Sequence, residues 1–246
     1  ISVGVLDIVS AGSGFDTVLF NAASSSEDLV IDLGTGQGLL GVWTGVEEVG
    51  GTLGSGDDVV RTLAQTEDLD GGAGTDSLTL DYSGTAFGTS TPFSYVRLNL
   101  HSPAGSEREL AVYENSTGNS ASASFTVRNF ERFDITATAG DDYIRTKDGN
   151  DRIVAGDGND RIYAGGGADT LIGGEGDDRF HEVGVGSSVN GGAGYDRVIL
   201  AVGSATEGQT VDLVAGTGLG GVWTSVEAVG GTLGSGDDVV RTLAQT

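Results

Sequence analysis

From Ala137 to Ile199 the apolar and polar residues of this chain recur every nine positions without a residue of slippage. In register the segments read ATAGDDYIR, TKDGNDRIV, AGDGNDRIY, AGGGADTLI, GGEGDDRFH, EVGVGSSVN and GGAGYDRVI. The eighth position is always apolar: Ile144, Ile153, Ile162, Leu171, Phe180, Val189, Val198. The sixth is an acid, Asp142, Asp151, Asp160, Asp169, Asp178 and Asp196, broken once by Ser187. A single apolar residue between two polar ones predicts a minimal strand whose middle side chain points to one face. One nonapeptide has nothing to bury that side chain against, so the segments are expected to stack. The glycines before each acid free the backbone to take positive φ and to approach a ligand closely.

The same pattern appears, interrupted, in the rest of the chain. AGSGFDTVL carries Asp16, LGSGDDVVR carries Asp58, and GGAGTDSLT carries Asp76, while TLAQTEDLD between the last two keeps only Leu69 at the apolar position. Residues 20–52 and 80–136 break the nonapeptide phase, with strand-like runs around Leu29–Leu33 and Leu39–Thr44 and in SYVRLNLH and SASFTVRNF. A longer period lies on top of the shorter one. Residues 11–66 align without gaps on 191–246, and Val49–Thr66 is identical to Val229–Thr246. The expected organisation is the end of a preceding roll segment at 1–19, a β insertion at 20–52 and a short roll segment at 53–79. An antiparallel β extension at 80–136 and the main parallel roll at 137–199 follow, then a copy of the first insertion at 200–232. Residues 233–246, with Asp238, start the next roll segment. Because the chain opens on Ile1 and stops at Thr246, where the first copy runs on into Glu67, we read it as a segment of a longer tandem array.

Composition sharpens this picture. There are 36 acids against 12 bases, a formal charge of -24, and 44 glycines, with no Cys and no Met. Self-repulsion on that scale opposes a compact state unless cations bind, and hard divalent ions that prefer carboxylate and carbonyl oxygens suit the side chains present. Neither disulfides nor thiolate metal sites are available. Nucleic acid is an unfavourable partner for such a charge, and no apolar run approaches the length of a membrane span.

The nonapeptide resembles G-G-x-G-x-D-x-U-x, the calcium-binding repeat of the RTX (hemolysin-type) family; GGEGDDRFH and GGAGYDRVI fit it nearly letter for letter. The resemblance implies an all-β fold, a parallel β-roll in which two nonapeptides make one turn and several Ca2+ ions sit between stacked turns. It implies that position-six carboxylates 18 residues apart share an ion. The expected pairs are Asp142 with Asp160, Asp160 with Asp178, Asp178 with Asp196, Asp151 with Asp169, and Asp58 with Asp76; Asp16 and Asp238 border insertions and their partners stay open. Turn carbonyls are implied as the other ligands, around Gly72, Gly74, Gly140, Gly149, Gly156, Gly158, Gly165, Gly167, Gly174, Gly176, Gly192 and Gly194. Ser187 is expected to weaken or remove a site above Asp169.

Other motifs carry less. G-x-G-x-x-G occurs at Gly36–Gly41 and Gly216–Gly221, but no helical period follows, as a dinucleotide site would require. Asn115–Thr117 matches a glycosylation acceptor in a Ser/Thr-rich stretch. His101 and His181 are isolated, and Trp43 and Trp223 hold the same place in the two copies, as core residues of the first insertion or as a carbohydrate platform. The phrases around Glu47, Glu131 and Glu227 lead each insertion back into the repeat and are read as a splice rather than as catalytic acids. Arg161, Arg179 and Arg197 fall on one side of the coil, where they offset the acids or form a ladder for an anionic polysaccharide. No nucleophile, base and orienting group occur together, so the chain is not read as an enzyme. The expected function is a calcium-dependent extender or adhesin stalk of a large RTX protein, exported by type I secretion to the bacterial surface or medium. Neighbouring repeat units are its other partners. A polysaccharide-binding or folding-assisting module beside a secreted alginate epimerase or lyase is the alternative.

Overall fold

A computed structural model describes residues 2–3, 8–38, 41–62, 67–84, 95–99, 109–113 and 121–243. His101, the Asn115–Thr117 sequon, Leu63–Thr66 and part of Gly36–Gly41 lie outside the described residues. All regular structure among the described residues is strand, as expected where glycines every few positions penalise helix and single apolar residues alternate with polar ones. The chain divides into two compact units, one of Ile1–Phe93 with Asn99–Ile135 and one of Ser94–Leu98 with Thr136–Thr246.

The second unit contains the uninterrupted repeat. Strands Tyr143–Arg145, Arg161–Tyr163, Arg179–His181 and Arg197–Ala201 stack in parallel, with Ile144, Ile162, Phe180 and Val198 in register. Strands Arg152–Asp157, Thr170–Glu175 and Ser188–Ala193 form a second parallel stack, with Ile153, Leu171 and Val189 in register. Successive nonapeptides therefore alternate between two sheets, and two of them close one turn. The eighth-position side chains of both sheets are buried. Each contributes on the order of 1.5–3 kcal/mol relative to exposure, available only because the turns above and below supply the rest of the core.

Glycine makes the turns between the sheets possible. Gly156 (φ +114°) and Gly158 (φ +119°) both take positive φ. A Cβ on either would run into the main-chain carbonyl of the turn below, that of Thr138 or of Gly140. An L side chain is thus opposed by backbone conformation and by the stacking distance together.

The 200–232 insertion is woven into the roll. Thr210–Asp212, Thr217–Gly218 and Gly221–Thr224 form a small antiparallel meander. Its last strand continues the parallel stack with Val189 opposite Trp223, and its first continues it toward Val239–Arg241 with Val211 opposite Val240. Trp223 is buried beneath Gly218, where any Cβ would strike the indole. Both tryptophans, 43 and 223, are core residues.

The first unit repeats this arrangement. Val30–Asp32, Gln37–Gly38 and Gly41–Thr44 form the same meander, with Val9 opposite Trp43 and Ile31 opposite Val60. Val18 then pairs with Val49, Gly51 with Leu69, and Leu69 with Val127, so the degenerate nonapeptide keeps its place in the stack through Leu69 and Asp70. Within 80–136, Ala121–Arg128 runs antiparallel to Glu109–Tyr113, and its last two residues turn into parallel partners of Leu69 and Asp70. Through these two residues the strand joins the parallel sheet of the first unit.

Candidate metal centre

The sixth-position acids are brought together by main-chain amides. Asp142 N–H donates to Asp160 Oδ1 at 2.7 Å, Asp160 N–H to Asp178 Oδ1 at 2.9 Å, and Asp178 N–H to Asp196 Oδ1 at 2.9 Å. On the other side Asp151 N–H donates to Asp169 Oδ1 at 3.1 Å, and in the first unit Asp58 N–H to Asp76 Oδ1 at 2.8 Å. These carboxylates are buried; Asp58, Asp76, Asp160, Asp178 and Asp196 have no exposed surface at all. A second ladder, not anticipated from the sequence, runs along the exposed rim with the opposite polarity. Asn159 N–H donates back to Asp141 Oδ1 at 2.7 Å, Asp177 N–H to Asn159 Oδ1 at 2.9 Å, and Tyr195 N–H to Asp177 Oδ1 at 2.8 Å. Its signal was legible as Asp or Asn at the fifth position of most turns.

Asp142, Asp58 and Asp169 accept at both oxygens, from Thr138, from Leu29 and Gly54, and from Asp151 and Ser187, but four of the inner carboxylates use only one. The Oδ2 atoms of Asp76, Asp160, Asp178 and Asp196 are buried without a hydrogen-bond partner. Leaving a buried carboxylate oxygen unpaired is costly, and the proton affinity of these acids rises. Burial, followed by the charges of Asp142, Asp178 and Asp141, pushes Asp160 up to about 8 despite its amide hydrogen bond. Burial also pushes Asp178 and Asp169 up to about 7 and Asp76 to about 6, and it raises Asp58 and Asp196.

A cation fits this arrangement. Among the described residues no group of three or more Asp, Glu or His side chains is placed to hold an ion by itself, so an ion needs main-chain oxygens too. These are present: the carbonyls of Gly156 and Gly158 stack against Gly174 and Gly176, and those of Gly174 and Gly176 against Gly192 and Gly194. Of the turn glycines singled out in the sequence, all but Gly140 have positive φ: Gly72, Gly74, Gly149, Gly156, Gly158, Gly165, Gly167, Gly174, Gly176, Gly192 and Gly194. An all-oxygen set on a glycine backbone suits calcium, which takes about six to eight oxygens at roughly 2.3–2.6 Å.

The rows end differently. Asp169 N–H donates to Ser187 Oγ at 2.9 Å, the Ser187 hydroxyl faces Asp169 Oδ2 at 3.3 Å, and the Trp223 indole N–H donates to the Ser187 carbonyl at 3.1 Å. Donors therefore fill the place beyond Asp169. At the other row's end, Asp196 N–H donates to Glu227 Oε2 at 2.8 Å. Glu131 accepts likewise from Asp76 N–H at 2.9 Å, and Glu47 from Asp16 N–H at 3.0 Å. Sequence reasoning recognised these three glutamates as splice residues but missed that they continue the acid row, because they stand 31 or 55 residues from their partners instead of 18. Asp58 Oδ1 accepts from Leu29 N–H at 2.7 Å and Asp238 Oδ1 from Gln209 N–H at 2.8 Å, so the meander side supplies an amide to the inner row, while Asp28 Oδ1 accepts the neighbouring Asp57 N–H at 2.9 Å.

Stacked parallel turns, buried carboxylates in register and glycine carbonyls behind them define a roll of cation-binding repeats. The sequence model of the RTX calcium-binding nonapeptide repeat matches residues 52–78 and 145–180, in four copies. Over those residues the chain is similar to the RTX calcium-binding nonapeptide repeat. No curated protein matches the chain. No helix among the described residues is long and apolar enough to cross a membrane.

Proposed function

We propose that this chain is a calcium-dependent extender or adhesive-stalk segment of a large secreted or surface-attached bacterial RTX protein, exported by type I secretion, and that it performs no catalysis. The observation that carries this reading is the row of buried, unpartnered Oδ2 atoms on Asp76, Asp160, Asp178 and Asp196. Calcium supplies the positive charge they lack. Asp142, Asp160, Asp178 and Asp196 hold ions on one side of the main roll, Asp151 and Asp169 on the other, and Asp58 and Asp76 in the short segment, with turn carbonyls completing each shell. Since an unfolded chain offers no preformed cage, binding energy becomes folding energy. The 180-residue offset between copies favours a spacer, because near-identical reiteration adds length more readily than it adds chemistry.

Circular dichroism with calcium and after chelation tests the proposal. Strand signal is expected to collapse on chelation and return with calcium, and magnesium, which demands a tight octahedron, should restore little of it. Strand signal unchanged by chelation would contradict the reading.

One feature favours a polysaccharide-binding module as the second reading. Arg161, Arg179 and Arg197 are exposed and stand opposite one another on adjacent strands. Beside them the Tyr163 ring stacks on His181, with centroids 4.3 Å apart, and Arg145 lies over Tyr163. Calcium-dependent retention on immobilised alginate, lost in Arg179→Ala, would establish it.

A further inference from the structure

The three insertions return to the roll through the same three-residue device. Gly45-Val46-Glu47, Asn129-Phe130-Glu131 and Ser225-Val226-Glu227 each begin with a residue at positive φ, +64°, +54° and +50°. Each ends in a glutamate whose Oε2 accepts the amide of the sixth-position Asp in the turn before. The glutamate amide and the next one both donate to that Asp's carbonyl: Glu131 and Arg132 to Asp76, Glu227 and Ala228 to Asp196. In a nonapeptide the sixth position comes five places after the first, whereas Glu227 comes two places after Ser225. The glutamate carboxylate still accepts the amide that a sixth-position Asp takes in the uninterrupted roll.

The splice also reproduces the main-chain oxygen of a full turn. A Cβ placed on Gly173 would meet Asp178 Oδ2 and the carbonyl oxygen of Gly191, the first residue of the next turn on that side. On Gly191 it would meet Asp196 Oδ2 and the Ser225 carbonyl, and on Gly71 it would meet Asp76 Oδ2 and the Asn129 carbonyl. Ser225 and Asn129 therefore stand, toward the Asp, where Gly191 stands in the uninterrupted roll. Asp76 and Asp196 are fully buried, and their Oδ2 atoms have no partner. The Asp16–Glu47 pair differs, because Ala11 stands where Gly71 and Gly191 do and Asp16 is only half-buried.

We propose that Glu131 and Glu227 are calcium ligands, each closing an end site with Asp76 or Asp196 where the nonapeptide sequence has already stopped. This rests on the calcium reading above. A splice lacks the glycine turn of a full repeat and offers fewer carbonyls, so these sites are weaker than the inner ones and the last to fill.

The test counts calcium ions bound to the 246-residue chain by native mass spectrometry across a calcium titration. Glu131→Gln and Glu227→Gln keep an oxygen that accepts the Asp amide and remove only the charge. Each is expected to lower the count at saturation by one, and the double variant by two. Glu207→Gln, at an exposed site, should change nothing. Unchanged counts in both Gln variants would mean that the glutamates only cap the backbone, and would overturn this inference while leaving the inner sites standing. A parent chain that binds no calcium would overturn both. The two splices lie in different units, so a variant that fails to fold with calcium leaves the other to decide.

Discussion

The two sides of the roll between 137 and 199 share one repeat and one spacing yet end in opposite ways. On one side Asp142, Asp160, Asp178 and Asp196 run into Glu227, and each link is an amide donating to the next carboxylate. On the other the row of Asp151 and Asp169 stops at Ser187, whose hydroxyl takes the amide and whose carbonyl takes the Trp223 indole N–H. Backbone stacking continues past Ser187, with Val189 opposite Trp223. Continuity of the fold and continuity of the charge row are therefore separate properties: the apolar eighth position maintains the first and the sixth position the second.

The largest effect that separates the sides is expected from deleting one acid on each. Asp160 has acids above and below, so Asp160→Ala should impair two sites, whereas Asp169→Ala should impair one. Each site lost removes about 2.7 kcal/mol at a hundredfold excess of calcium over Kd, so the first variant should lose roughly 5 kcal/mol. Thermal melts at saturating calcium measure the difference, and equal losses would dissolve the distinction between the rows.

Next in size is the pH response of the metal-free chain. Asp160, pushed up to about 8 by burial and by Asp142, Asp178 and Asp141, holds its proton more tightly folded than unfolded, and Asp169 does so up to about 7. Protonation therefore favours the fold: the contribution is complete below about pH 4, where unfolded aspartates also bind protons, and it disappears as pH rises through 7 to 8. The metal-free chain should melt at higher temperature at pH 5 than at pH 8, while calcium affinity moves the other way because protons compete for the same oxygens. Asp160→Asn should flatten this slope more than Asp169→Asn does, which melts at the two pH values would register.

The smallest effect is a gain. Ser187→Asp should accept the Asp169 amide in place of the hydroxyl and extend the shorter row by one acid. One additional calcium in calorimetry is expected; no additional ion would show that the Trp223 contact, and not the missing carboxylate, ends the row.

Much of this was legible in the chain because the repeat is local and strict. A nine-residue phase with one apolar position, one acid and preceding glycines specifies alternating short strands and positive-φ turns, and the 18-residue pairing follows once two segments close a turn. Ile144 lands opposite Ile162, and Asp160 beside Asp178, as that phase predicts. The meander was legible only as a break in phase. Its strands are two to four residues long, and what keeps them in the stack is Trp223 beneath Gly218, a contact that no period announces.

The repeat and the break in the acid row at Ser187 can be read from the chain, because each depends on residues a fixed number of positions apart. Tertiary structure alone decided what happens where that count fails. Glu131 and Glu227 lie 55 and 31 residues from the acids they join, and only the return of the chain after each insertion brings them there. Neither distance is a multiple of the repeat, so no period in the chain points to either glutamate.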